Sequence, residues 1–324
     1  MSVIKKLAVL TSGGDAPGMN AAIRAVVRAA IFRGIEVVGI RRGYQGMIEH
    51  DFLPLQSKDV SNIIQRGGTI LCTARSKDFK TVEGRRKAFR NLEKEKIDAC
   101  VVIGGDGSFN GAAVFSEEHD IPFVGIPGTI DNDLFGTDYT IGYDTALNTI
   151  VEAVDRIRDT ASSHERLFFI EVMGRGAGFL ALHSGIATGA EAILLPEVDN
   201  DEEHLHQYLI NQGNKKSNII LVAEGNNVGG AQAIADRCKK ELKDYDIRVN
   251  VLGHIQRGGS PSAFDRFLAS RLGVASVEAL IDNQRSIMVG FVNHDIVHVP
   301  FNKTIHSSKN LNHILLDVAD ILAH

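Results

Sequence analysis

The chain has 324 residues, enough for two domains or one large α/β domain with a real core. Hydrophobic residues make up 44% and charged residues 23%, and no apolar run reaches the length of a membrane span, so a soluble globular protein is expected and a helical membrane protein is excluded. A net charge of −5, with no long basic run or aromatic-interleaved basic patch, argues against nucleic-acid binding and means that an anionic substrate would need local arginine clusters.

Met1 to Leu10 lacks the long apolar core of a signal peptide. Cys72, Cys100 and Cys238 show no paired spacing, which points away from a disulfide framework or zinc knuckle and towards the cytoplasm. The first unit is a strand, Lys6 to Thr11, then Ser12-Gly13-Gly14-Asp15, then a helix whose apolar positions Ile23, Val26, Val27, Ala30 and Ile31 form one stripe that Gly34 ends. Arg24 and Arg28 share a different face of that helix. Val37 to Ile40 reads as a second strand, and the segment on to Leu55 reads as irregular. Arg66-Gly67-Gly68-Thr69 interrupts any helix, and Thr81 to Lys96 reads as a surface helix.

Ala99 to Ile103 is a further buried strand, followed by Gly104-Gly105-Asp106-Gly107-Ser108 and a helix through Ala112 and Phe115. Phe123 to Pro127 is another strand, stopped by Pro127-Gly128 before Thr129-Ile130-Asp131-Asn132-Asp133. In isolation those two carboxylates fit a general base, a magnesium ligand or plain turn formers. A long amphipathic helix through Leu147, Ile150, Val154 and Ile157 comes next. The strand Leu167 to Val172 then ends in Met173-Gly174-Arg175-Gly176. Ala192 to Pro196 is shorter, Asn218 to Ala223 ends in Glu224-Gly225, and Val249 to Leu252 ends in Gly253-His254. Past Ile296 the patterning is weak, apart from a final helix at about Leu311 to Leu322.

Strands alternating with helices predict mainly parallel sheets with ligands at the carboxyl ends of their strands. Glycine turns between strand and helix cradle phosphates, since backbone N–H groups converge there and the helix dipole favours anions. Two such turns, with Asp106 inside the second, suggest a nucleotide with magnesium. Arg75, Arg166, Arg175, Arg248 and Arg257 are read as strand-end arginines; each alone suits a surface role, but together they suit phosphate clamping. His204 with His206, and His294 with His298, make no zinc site, and no arrangement for covalent catalysis stands out.

These residues resemble the bacterial ATP-dependent 6-phosphofructokinases of the phosphofructokinase A family. The match runs to about residue 275, through Leu10 to Asn20, Arg66 to Thr69, Ile103 to Ser108, Pro127 to Asp133, Met173 to Arg175 and Leu252 to Pro261. The resemblance implies two similar three-layer α/β/α domains with the active site in the cleft between them, residues 1–141 and 255–304 binding ATP and residues 142–254 and 305–324 binding the sugar phosphate. It implies Asp131 as the base on the sugar's 1-hydroxyl, Thr129 holding the transferring phosphoryl group, Arg75 and Arg175 neutralising charge, and Asp106 serving Mg2+. Gly14, Arg75, Ser76, Gly105, Asp106, Gly107 and Ser108 would line the ATP site. Thr129, Ile130, Asp131, Met173, Gly174, Arg175, Glu224, His254, Ile255, Gln256 and Arg257 would hold fructose 6-phosphate. Arg166 and Arg248 would reach in from a neighbouring subunit of a cytoplasmic homotetramer.

An effector site for ADP or phosphoenolpyruvate would use Arg24, Arg28, Arg158, Gly189, Glu191, Lys215 and Lys216. However, Ser57, Asn62, Gly213 and Ser217 replace residues usual in the family, which implies weakened allostery. Pyrophosphate-dependent relatives typically carry Asp where Gly107 stands and Lys where Gly128 stands, so ATP is the implied donor. Another GGDG kinase would leave Met173 to Arg175 and His254 to Pro261 unexplained, and a non-catalytic nucleotide-sensing subunit would be expected to have lost Asp131 or Asp106.

Overall fold

A computed structural model describes residues 4–164, 166–198, 205, 209, 218–227, 229–241 and 245–323. The chain divides into two compact units, one of Met1–Ile130, Leu134–Thr145 and Arg257–Lys309, the other of Asp131–Asp133, Ala146–Gln256 and Asn310–His324.

The first unit is built on a seven-stranded sheet: β1 (Lys6–Thr11), β2 (Glu36–Ile40), β3 (Phe52–Leu55), β4 (Ala99–Gly104), β5 (Phe123–Pro127), β10 (Ile287–Val292) and β11 (Asp295–Pro300), in the order β11-β10-β5-β4-β1-β2-β3. The inner strands β10, β5, β4, β1 and β2 pair in parallel, and β3 and β11 pair antiparallel at the edges. Every residue of β4 and β5 is buried, as expected for parallel strands covered on both faces. The helix α1 (Met19–Phe32) buries Ile23, Val26, Val27 and Ala30. Ile31, expected in that stripe, is instead exposed. Helix α1 packs along the helix Ala263–Ile281, where Gly273 lets Ala22 and Ala25 come close.

Two stretches differ from the sequence-based expectation. The segment before Leu55, read as irregular, holds a short helix α2 (Gly43–Glu49) and the strand β3. Its glycines mask the helical pattern, and both bounding residues, Arg42 and His50, are left-handed. Past Ile296, read as weakly patterned, the chain continues β11, which forms a hairpin with β10 whose two turn residues, Asn293 and His294, both have positive φ. That is the turn conformation that matches strand twist. Its edge strand is half exposed and therefore weakly patterned. The last helix is His313–Ala323.

The second unit is built on the parallel four-stranded sheet β7-β8-β6-β9, from β6 (Arg166–Val172), β7 (Ala192–Leu194), β8 (Asn218–Ala223) and β9 (Asp246–Val251). Helices α5 (Tyr143–His164), α6 (Phe179–Thr188) and Ala231–Glu241 accompany it. Its core joins Leu167, Phe169, Ile220 and Val222 from the sheet to Ala231, Ile234 and Ala235 from the last of these helices. Among the described residues, no helix is long and apolar enough to cross a membrane. Cys100 and Cys238 are buried and Cys72 is exposed, all three as free thiols.

Candidate active site

Three adjacent parallel strands deliver the predicted phosphate-binding residues to one edge of the first unit. Register aligns Thr11 with Ile103 and Gly104 with Pro127, so β1, β4 and β5 end together. The ladder continues one step past the strands: the Ser12 amide donates to the Ile103 carbonyl at 3.0 Å and the Gly128 amide to the Gly104 carbonyl at 2.9 Å. The close approach explains the glycines, since a Cβ on Gly104 would sit 2.5 Å from the Ser12 carbonyl and from Ser108 Oγ. A Cβ on Gly105 would lie 3.7 Å from Thr129. The two glycine turns and Thr129 are thus brought together at the carboxyl ends of their strands, where open α/β sheets bind ligands.

Asp106 opens the helix α4 (Asp106–His119) and is exposed, and Gly105 before it supplies no side-chain cap. A helix start of that kind suits phosphate. Gly107 has no atom within 4 Å of where a Cβ would be, whereas one on Gly128 would meet Ile103 Cγ2 at 3.0 Å and Met19 Cε at 3.3 Å. The guanidinium of Arg257 covers Gly14, so that a Cβ there would displace it, and its Nη1 donates to the Asp15 carbonyl at 3.3 Å. Arg75 is exposed, while the Ser76 hydroxyl donates to Gln45 Oε1 at 2.7 Å and receives the Phe79 amide at 3.1 Å. Asp131 and Asn132 are 3% and 2% exposed, and Asn132 is left-handed. The Thr129 carbonyl accepts the Thr140 hydroxyl at 2.6 Å.

In the second unit, the ends of β6, β8 and β9 assemble Met173, Gly174, Arg175, Glu224, His254, Ile255 and Gln256. The Arg175 amide donates to Glu224 Oε1 at 2.8 Å, and the Met173 amide to Gln256 Oε1 at 3.1 Å. Gln256 is fully buried and its Nε2 donates to the Gly253 carbonyl at 2.9 Å, so it shapes the Met173 backbone. Arg175, Glu224, His254 and Ile255 are exposed.

Arg166 and Arg248 are not beside these strand ends. Arg166 opens β6, and Arg248 pairs in register with Phe168 near the amino end of the same strand. At 3.2–3.4 Å per residue, Arg166 lies about 20 Å along the strand from Met173. Both arginines converge on Asp246, Arg166 Nε at 2.8 Å and Arg248 Nε at 2.9 Å. The Arg166 hydrogen bond is the largest of the effects of the two arginines that hold the Asp246 carboxyl below its ordinary range.

Of the expected effector residues, Arg158 donates to the carbonyls of Thr188 and Gly189 at 2.7 and 3.0 Å and approaches Glu191 Oε1 at 3.4 Å. Glu191 Oε2 in turn accepts the Ile219 amide at 2.6 Å. Arg24 and Arg28 lie on α1, where burial and then the Arg28 charge lower the Arg24 pKa. Lys215, Lys216, Gly213, Ser217, His204 and His206 lie outside the described residues.

Two residues near these elements carry no motif. Tyr44 is buried, stacks on Phe79 at 4.0 Å and donates to the Ser108 carbonyl at 2.5 Å, but it sits in the segment whose helix is masked by glycines. Asp265 is fully buried, and desolvation pushes its carboxyl up to about 6. The only signal for it is the Ser262-x-x-Asp265 spacing of a helix start.

The phosphofructokinase family model matches residues 6–280 of the chain. The chain belongs to the phosphofructokinase family. It is 57% identical over 320 residues to the ATP-dependent 6-phosphofructokinase 2 of Bacteroides thetaiotaomicron, covering 98% of each chain. It is 56% identical over 322 residues to the ATP-dependent 6-phosphofructokinase 1 of Thermus thermophilus, covering 99% of this chain and all of the other. A solved phosphofructokinase from Saccharomyces cerevisiae superposes with a TM-score of 0.88 at 38% identity, over 98% of this chain and 48% of that one, so this chain spans about half the length of that relative. The α/β fold expected from the alternating elements is the fold of this family.

Proposed function

We propose that the chain transfers the γ-phosphoryl group of ATP to the 1-hydroxyl of fructose 6-phosphate, giving fructose 1,6-bisphosphate and ADP in cytoplasmic glycolysis. The observation that carries this reading is the convergence of both glycine turns and Thr129 at the ends of β1, β4 and β5, with Asp131 two residues on. Phosphoryl transfer asks for positioning, charge neutralisation and one proton acceptor, with no covalent nucleophile.

In this reading the first unit holds ATP through Gly14, Arg75, Ser76, Gly105, Gly107 and Ser108. Asp131 takes the proton from the attacking hydroxyl, Thr129 holds the phosphoryl group in transit, and Arg75 and Arg175 neutralise it. Asp106 would hold Mg2+, which suits one exposed carboxylate because magnesium keeps several waters and shares phosphate oxygens; when bound it offsets charge on the β- and γ-phosphates. The second unit binds fructose 6-phosphate through Met173, Gly174, Arg175, Glu224, His254 and Ile255, with Gln256 shaping the Met173 backbone, and Ile130 and Arg257 complete the substrate site.

Along β6 Arg166 lies about 20 Å and the register position of Arg248 about 16 Å from Met173, beyond the reach of a side chain, which supports a role in a neighbouring subunit. The family resemblance makes that assembly a homotetramer with shared active sites. ADP or phosphoenolpyruvate would bind weakly at Arg24, Arg28, Arg158, Gly189, Glu191, Lys215 and Lys216. Open space at Gly107 favours ATP as donor over pyrophosphate. The test is a coupled assay with fructose 6-phosphate and either ATP or pyrophosphate. ADP should form with ATP; absence of ADP formation, or transfer from pyrophosphate alone, overturns the reading.

A further inference from the structure

Asp265 stands far along the chain from Asp131, yet its carboxylate joins two helix starts. Ser262 caps the helix Ala263–Ile281 by accepting the Asp265 amide at 3.1 Å. In a capping box, the acidic side chain three residues on would return to the amide of the capping residue. Here the Ser262 amide donates to Thr145 Oγ1 at 2.9 Å instead. The Asp265 carboxylate is thereby released to accept the Gly142 amide at 2.8 Å, the Thr145 amide at 2.8 Å and the Thr145 hydroxyl.

The segment pinned in this way is the one that holds the loop after β5. The Ile141 amide donates to the Pro127 carbonyl at 2.9 Å, Gly128 and Ile141 form a parallel bridge, and the Thr140 hydroxyl holds the Thr129 carbonyl. Gly142 has a φ of +101°, and a Cβ there would lie 3.3 Å from Ile130 Cγ2 and collide with Ala16. The same segment backs the start of α1, since a Cβ on Gly18 would meet Ile141 Cγ2 at 2.6 Å and Asp265 Cβ at 3.6 Å.

We infer that Asp265 is a positioning residue for phosphoryl transfer: a buried acceptor that, through Gly142 and Thr145 and then Thr140 and Ile141, sets the backbone carrying Thr129 into Asp131. This rests on the roles proposed above for Thr129 and Asp131. A carboxylate accepts all three donors at once, whereas the amide of Asn offers one acceptor oxygen and turns an NH2 group towards an N–H. Asparagine is therefore a poor substitute in spite of its equal size. Displacement of a reacting group by about 1 Å costs roughly 10²-fold in rate, so small shifts of this loop appear in turnover.

The test is steady-state kinetics of full-length Asp265→Asn, Thr145→Val and Thr145→Ser beside Asp131→Ser, with calorimetric binding of ATP and fructose 6-phosphate and thermal unfolding of each. Asp265→Asn and Thr145→Val should lower kcat by roughly 10–10²-fold with both substrates bound near wild-type affinity, while Thr145→Ser, which keeps the hydroxyl, stays near wild type. A folded Asp265→Asn or Thr145→Val enzyme with unchanged kcat overturns the positioning role. If Asp265→Asn does not fold, the split between Val and Ser at Thr145 decides the matter. Near-normal turnover by Asp131→Ser instead overturns the reading on which that role rests.

Discussion

The Glu224 carboxylate accepts the backbone N–H of Arg175 at 2.8 Å, and Arg175 is left-handed with a φ of 55°. Glu224 therefore fixes the turn that aims the arginine. Its neighbour completes the fit, since a Cβ on Gly225 would overlap the Arg175 carbonyl. Gly225→Ala must displace that turn at a cost of about 1–3 kcal/mol. Affinity for fructose 6-phosphate should fall by about tenfold, roughly 1.4 kcal/mol, with the KM for ATP unchanged. Separate determination of the two KM values checks this.

Gly107 and Gly128 differ in the space around them. Nothing approaches a Cβ at Gly107, so Gly107→Asp should fold normally while its carboxylate repels the nucleotide phosphates. A sharp rise in the KM for ATP with an unaltered melting temperature is the expected result; unchanged ATP kinetics would contradict it. Gly128 packs against Ile103 and Met19, so a side chain there disturbs the fold as well as the donor.

The buried Asp265 carboxyl has its pKa raised from 3.8 to about 6, chiefly because desolvation outweighs the hydrogen bonds from Thr145 and Gly142. A group raised in this way favours the folded state fully at pH values below the unfolded pKa. That contribution is lost as pH rises through the folded pKa. Between pH 4 and 6 it amounts to about 3 kcal/mol at most. Chemical denaturation across that window should show this component in the wild type and its absence in Asp265→Asn. Parallel pH profiles for the two would contradict the burial argument.

Much of the fold was legible because β1, β4, β5, β6 and β8 are buried parallel strands, which read as continuous apolar runs ending in glycine. The grouping of Ser12 to Gly14, Gly104 to Ser108 and Thr129 followed from the rule for strand ends. What was not legible depends on pairings distant in sequence. The edge strands β3 and β11 lack a strong pattern because one side is solvated. Arg166 and Arg248 were read as strand-end residues, but register places both towards the amino end of β6. Gln256, expected from the resemblance to hold fructose 6-phosphate, is buried and accepts the Met173 amide, a contact between residues 83 positions apart. Asp265 reads as an ordinary helix-start acid until Thr145, 120 residues away, takes over its usual partner.

The proposed effector residues Arg158, Gly189 and Glu191 are held together, but Ser57 supplies no cationic group where the resemblance implies an Arg. Each lost hydrogen bond to a charged group weakens anion binding by about 1.5–3 kcal/mol. Titration with phosphoenolpyruvate should give weak, non-sigmoidal inhibition with catalysis intact. Sigmoidal inhibition at low concentration would contradict this.

The most direct measurement compares Asp131→Ser with the wild type in turnover and in equilibrium binding of both substrates. General-base catalysis contributes roughly 10²–10⁴-fold, so kcat should fall by that factor while ATP and fructose 6-phosphate bind as before. Turnover close to the wild type in the substituted enzyme would contradict the assignment of Asp131 as the base.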